Sequence, residues 1–313
     1  VWPLPPEEPK VKFVDILAAD VDVKEPSFLS VLFGEEVGSA LIKPYGAAVD
    51  KEGRLYVTDL GRVFIFDKKN HRLEFIGDEF GSGKLRVPVG IAIAADKVYV
   101  TDVAADRVFV YNTGGKFITA IGAKAELEGP SGIAVNEKKE RLYVADTKKH
   151  NVRVYSLDGK LLFTIGARGS DAGKLNFPTN IALDGKGNLY VVDTGNFRVQ
   201  VFDPEGKFIR AIGQVGDKPG DFTRPKGIAV DSEDHIYVID AAFQNIQIFN
   251  TEGQLLLVVG EGGGGLAQFS VPSGMTIDSD DKIYVVDQLN ARVQVFQYLS
   301  EKWKKKQAAQ PAK

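Results

Sequence analysis

One unit recurs six times along this chain: Pro, any residue, usually Gly, a short apolar run, a turn, then Tyr-Val-x-Asp. The Tyr-Val-x-Asp cores lie at Tyr56–Asp59, Tyr99–Asp102, Tyr143–Asp146, Tyr190–Asp193, Tyr237–Asp240 and Tyr284–Asp287. The leading prolines, Pro44, Pro88, Pro130, Pro178, Pro225 and Pro272, are 44, 42, 48, 47 and 47 residues apart. Each copy reads as four short strands. The second strand is a nearly continuous apolar run, as expected of a strand covered on both faces, and the third alternates and ends in an aromatic. Four strands repeated every 40 to 50 residues describe the blades of a β-propeller, so the predicted fold is all-β with six blades of four antiparallel strands.

Closure gives an independent check. The sixth copy has its third strand at Arg292–Phe296 and then runs into a polar tail. The missing fourth strand is found near the start: Lys12-Phe13-Val14-Asp15-Ile16-Leu17 matches the pattern of Lys207-Phe208-Ile209-Arg210-Ala211-Ile212. The N-terminal strand should complete the last blade and remove an open edge. The organisation that follows is a Pro-rich tether at 1–9 and a propeller at 10–298, with its closing strand at 10–17 and an apolar insertion at 18–43. A basic tail at 299–313 is expected to be solvated.

In the fourth copy, Phe177-Pro178, Ile181-Ala182-Leu183-Asp184, Leu189-Tyr190-Val191-Val192-Asp193, Asn196 and Arg198-Val199-Gln200-Val201-Phe202 together resemble an NHL repeat. The resemblance implies a non-catalytic propeller of the bacterial exported type that binds a partner protein through one face. It also implies an accessory or scaffold role, sometimes beside a multihaem cytochrome or another cell-envelope protein. The alternative is a hydrolase or lyase, because related six-bladed propellers include an amidating lyase and gluconolactonase-like enzymes. Those place metal ligands or several histidines around the central channel.

Features shared by all six copies are read as architecture. The six aspartates are assigned to fixing the loop between second and third strands, with Arg107, Arg198 and Arg292 as partners five residues on. Departures from the repeat are the functional candidates. The loops between second and third strands and between blades share one face, the top, and they are long and irregular. Binding is therefore expected there. The candidates are Tyr45, Leu60, Val103, Lys148, Lys149, Asn180, Phe197, Lys226, Phe243, Met275 and Leu289. Asn180 stands where the other copies have Gly46, Gly90, Gly132, Gly227 and Gly274, and tolerance of left-handed backbone is a sufficient reason for that exchange. The insertion holds Pro26–Gly34, a segment with helical spacing. Its Phe28, Leu29, Leu32 and Phe33 either dock on the propeller or contact a partner or membrane surface.

Charge and composition narrow the function. The chain carries −3 overall, but the tail from Glu301 carries +4, leaving a body near −7. A body of that sign excludes general nucleic-acid binding. With 0 cysteines there are no disulfides or thiolate metal sites. The 3 histidines, His71, His150 and His235, fall on a third-to-fourth turn, a top loop and a first-to-second turn, so they are not expected to meet at a metal. No cofactor, metal site or catalytic set is predicted. The chain opens at Val1 and has 1 methionine, Met275, from which an exported, periplasmic or cell-surface location is expected, with membrane contact only through an N-terminal anchor.

Overall fold

The computed structural model describes residues 1–4, 6–23, 39–123 and 125–309. Six four-stranded antiparallel sheets surround a central channel, the first five running outward in chain order from an inner first strand and the sixth taking its outermost strand from the start of the chain. In the fourth blade these strands are Pro178–Leu183, Leu189–Asp193, Arg198–Phe202 and Phe208–Ile212. The second strands Leu55–Asp59, Leu189–Asp193 and Ile236–Asp240 are buried at every residue, and the other three at every residue but the first. This accounts for their unbroken Val, Ile and Tyr runs. The aromatics that end the third strands, Phe66, Tyr111, Tyr155, Phe202, Phe249 and Phe296, are each at most 1% exposed and fill the gaps between neighbouring sheets.

The ring closes as the repeat predicts. Strand Val11–Leu17 pairs antiparallel with Arg292–Tyr298 and completes the sixth blade. Val11 and Leu17 are buried, and Phe13 meets the Phe296 ring edge-on at 5.7 Å. Within the Pro-rich opening, Trp2 folds back on this strand. Its N–H donates to Val11 O at 2.7 Å, and its ring packs edge-on against Phe296 at 5.8 Å. Beyond the sixth blade, Glu301–Ala308 forms a helix capped by the Ser300 side chain. The cap also ties it to the propeller, because Ser300 Oγ donates to Asp281 Oδ2 at 2.6 Å. No described helix is long and apolar enough to cross a membrane. The insertion residues Phe28, Leu29, Leu32 and Phe33 lie outside the described residues.

The blades meet most tightly around the channel mouth, and here the reason for the glycine position differs from the expectation. Gly46, Gly90, Gly132, Gly227 and Gly274 do not have left-handed φ. A Cβ at Gly90 would lie 2.1 Å from Ser131 O, one at Gly46 2.4 Å from Val89 O, and one at Gly274 2.3 Å from Tyr45 O. Close approach of the next blade's backbone therefore requires glycine there. Asn180 also has no positive φ, so left-handed geometry is not what accounts for it.

Hydroxyl side chains staple the blades in the same region. Thr58 donates to Val89 O, Thr101 to Ser131 O, Thr147 to Pro178 O and Thr194 to Pro225 O, at 2.6 to 3.0 Å. Ser273 donates to Tyr45 O at 2.9 Å and closes the sixth blade on the first. Between the fifth and sixth blades, Ile239 and Ala241 occupy the stapling positions and cannot make such a bond.

Candidate functional site at the channel mouth

The residue after each leading proline lies at the entrance of its blade's first strand and differs from blade to blade: Tyr45, Val89, Ser131, Thr179, Lys226 and Ser273. Below it the channel narrows to a cavity of about 230 Å³ between the first strands, with Ile91, Ile133, Ile181, Ile228 and Met275 among its lining residues. Above it lies an open bowl of about 530 Å³. The bowl brings together four of the predicted residues, Tyr45, Leu60, Val103 and Lys148, and adds Lys43, Ser131, Thr147, Thr179 and Gln288. Lys226 reaches Tyr45 from two blades away: its Nζ donates to the phenol oxygen at 3.5 Å and lies 5.5 Å from the ring centroid.

The other candidates are placed elsewhere. Lys149 is engaged in structure, donating to Ala125 O at 2.6 Å and Glu126 O at 3.0 Å. Phe197 packs against the core between the fourth and fifth blades, and Met275 faces the channel rather than the bowl. Phe243 and Leu289 sit on their own loops outside the bowl, Leu289 being 63% exposed. Asn180 keeps a buried Nδ2 without a hydrogen-bond partner. The added hydroxyls escaped notice in the sequence because a Ser or Thr on a strand carries no signature until the neighbouring blade is in place.

The six aspartates are loop anchors. Asp59 accepts from the backbone N–H of Ile42, Lys43 and Leu60 at 2.6 to 2.7 Å and so holds the rim of the bowl. Arg198 and Arg292 bond Asp193 and Asp287 at 2.9 and 2.8 Å, as predicted. Arg107 does not pair with Asp102, whose oxygens instead accept four backbone N–H groups, from Arg86, Val87, Ala104 and Ala105. Those four donors satisfy the carboxylate and leave the arginine exposed.

Asp146 is the least well served. Its bonds to Glu128 N–H are 3.1 Å, that from Lys149 N–H is 3.4 Å, and Arg153 Nε stands 3.5 Å off. Burial pushes its carboxyl up to about 6 from an ordinary 3.8. The folded chain therefore holds a proton that the unfolded chain has lost between those pH values. Stability falls as pH rises through the window, by ~3 kcal/mol once above it. Asp146→Asn is expected to narrow the difference in melting temperature between pH 5 and pH 7.5. An unchanged difference would show that the carboxylate is solvated in the folded state.

A metal does not fit this mouth. No group of three His, Asp or Glu side chains among the described residues is placed to hold one. The Lys226 ammonium also repels a cation where the channel opens. His150 is buried against Phe177, whose N–H donates to its Nδ1 at 3.1 Å, and burial lowers its pKa. His71 and His235 lie on turns of the opposite face.

Comparison with known proteins corrects the functional expectation. A family model described as SMP-30/gluconolactonase/LRE-like region matches residues 6–219, and one described as a 6-bladed β-propeller matches 232–307. Virginiamycin B lyase from Staphylococcus aureus superposes with a TM-score of 0.63 at 13% identity, covering 92% of this chain and 99% of that one. A gluconolactonase from Xanthomonas campestris gives 0.62 at 16% identity, with 91% and 98% covered. An auxiliary nutrient binding protein from Bacteroides thetaiotaomicron gives 0.62 at 17%, with 83% and 70% covered. No curated protein matches the sequence significantly. Identities this low carry the fold alone.

The family match replaces the NHL resemblance. The blade spacing and the Tyr-Val-x-Asp anchor that carried that resemblance serve blade construction in this chain, the aspartates holding loop N–H groups, so they do not by themselves assign a family. It also overturns the non-catalytic scaffold built on that resemblance, since the matching family is named for an enzyme. Because its model spans more than half of the sequence, the chain belongs to the SMP-30/gluconolactonase/LRE-like family.

Proposed function

We propose that the protein is a hydrolase or lyase that opens a small cyclic ester, a lactone, in the bowl over the channel mouth. The observation that carries this reading is the Lys226 ammonium held at the Tyr45 phenol. Ring opening of an ester builds negative charge on the carbonyl oxygen and then on the departing alkoxide. Fixed cationic donors stabilise such charge, and a phenol is a proton donor for the leaving oxygen.

Lys43 and Lys148 supply two further ammonium groups on the bowl wall. Asp59, the carboxylate there, is engaged by backbone N–H groups, so the bowl presents net positive charge to a substrate. In hydrolysis, water attacks the carbonyl carbon and Lys226 steadies the oxyanion; as the acyl C–O bond breaks, Tyr45 protonates the ring oxygen, and its phenolate takes up the proton shed by the attacking water, leaving the hydroxy acid. No step passes through a metal.

A panel of lactones, beginning with glucono-1,5-lactone and γ-butyrolactone, tests the proposal by acid release at constant pH. Turnover above the spontaneous rate on at least one of them is expected. The absence of turnover across six-membered, five-membered and macrocyclic lactones would refute it.

A further inference from the structure

A second cavity, of about 620 Å³, lies on the opposite rim between the fifth and sixth blades, beneath the Trp2–Lys10 fold-back. It is the seam that lacks a hydroxyl staple at the channel mouth. Its pins are on this side: Ser232 donates to Asp281 through both N–H and Oγ, at 3.0 and 2.9 Å. Val11, Ile248, Leu256 and Leu257 form apolar walls, and the ring of Tyr298 stands edge-on to His235 at 5.4 Å.

The polar groups here depart from the repeat. In the first and fourth blades the aspartate of the first-to-second turn binds Arg54 or Asn188 four residues on. In the fifth, His235 takes that place, its Nδ1 donating to Asp231 at 3.0 Å, while Tyr237 Oη donates to Asp231 at 3.0 Å as Tyr56, Tyr190 and Tyr284 do to their own turn aspartates. This fixes the imidazole against the cavity wall with Nε2 bonded to no described residue.

The carboxylates around the cavity are unequally neutralised. Glu8 pairs with Lys304 at 2.9 Å and Lys10 at 3.7 Å. Glu233 receives only neutral donors, Tyr298 Oη at 2.7 Å and Glu301 N–H at 2.9 Å. Glu7 lines the cavity with no ion-pair partner among the described residues. Glu233 also lies within electrostatic reach of His235, but three carboxylates against Lys10 and one imidazole leave the wall net acidic, and with an aromatic face and apolar side chains it suits a cation with a hydrocarbon body better than an anion.

We infer that this cavity is a binding site for a small organic ammonium ion, its charge held between Glu7 and Glu233 over the Tyr298 ring and its apolar part against Leu256 and Leu257. The site is independent of the bowl and does not depend on the lactone reading.

The probes are phenethylamine, its neutral isostere 2-phenylethanol, and 3-phenylpropionate, titrated calorimetrically into the full chain. Quenching of intrinsic fluorescence is a second readout, since the 2 tryptophans, Trp2 and Trp303, lie on the fold-back and on the adjoining helix. Saturable binding of phenethylamine is expected, about tenfold tighter than the alcohol, with no binding of the carboxylate. Glu7→Gln should weaken the amine several-fold. Leu256→Arg, at a position already 52% exposed, should abolish its binding without altering the melt. Equal binding of amine and alcohol, preference for the carboxylate, or amine binding that survives Leu256→Arg would each overturn the assignment.

Discussion

A chain lacking residues 1–17 is expected to lose its cooperative melt, or to melt at least ~10 °C below the full chain. The truncation removes six paired positions from Arg292–Tyr298 and uncovers Phe296, Val293 and Val295, which are buried in the closed ring. Burial of Val11 and Leu17 is worth ~1.5–3 kcal/mol each, and the edge-on contacts of Trp2 and Phe13 with Phe296 add ~0.5–1.5 kcal/mol apiece. The sum is comparable with the whole net stability of an ordinary domain. It acts at a ring closure, where loss of one strand exposes both an apolar face and a row of unpaired backbone groups. Leu17→Ala, expected to cost ~2–5 kcal/mol, tests the same closure in a chain that still folds. Differential scanning calorimetry of both settles the matter: unchanged melts would mean that the sixth blade is stable with three strands.

Lys226→Met and Tyr45→Phe are expected to lower kcat/KM on whichever lactone is turned over by ~10²-fold or more, with melting temperatures unchanged. The two side chains are partly exposed at the mouth and make no core contact, so their loss removes chemistry and not packing. The double variant should be little worse than either single one, because the ammonium at the oxyanion and the phenol at the ring oxygen act together in one step. Lys149→Met serves as the control: it removes a top-face cation that is engaged with backbone carbonyls, and activity should be retained. Activity should also survive EDTA, since the described residues of the mouth offer no ligand set for a metal. If both substitutions leave turnover intact, the chemistry lies elsewhere in the bowl.

Architecture was legible because it repeats. The Tyr-Val-x-Asp core, the terminal aromatic and the leading proline each do the same job six times, and a periodic pattern of burial is written directly into residue type. Closure was legible for the same reason: Lys12–Leu17 is a fourth strand displaced to the other end of the chain. The family was not legible from that pattern, since residues required by blade construction are common to different propellers. Glycine near the channel was visible, yet its cause was misjudged. A left-handed turn and a close approach both demand glycine, and only the position of Ser131 O, 2.1 Å from where a Gly90 Cβ would be, distinguishes them.

Local periodicity encodes local burial, and so the number of blades, their strands, the closing strand and the face of the irregular loops follow from residue order. Tertiary structure alone decided which departures from the repeat become neighbours. Lys226 and Tyr45 are 181 residues apart and meet only because the ring brings the fifth and first blades around one mouth. Glu7 and Glu233 likewise share a cavity only because the chain's two ends close one blade. Side-chain chemistry is readable residue by residue, but proximity across a closed ring is a property of the ring.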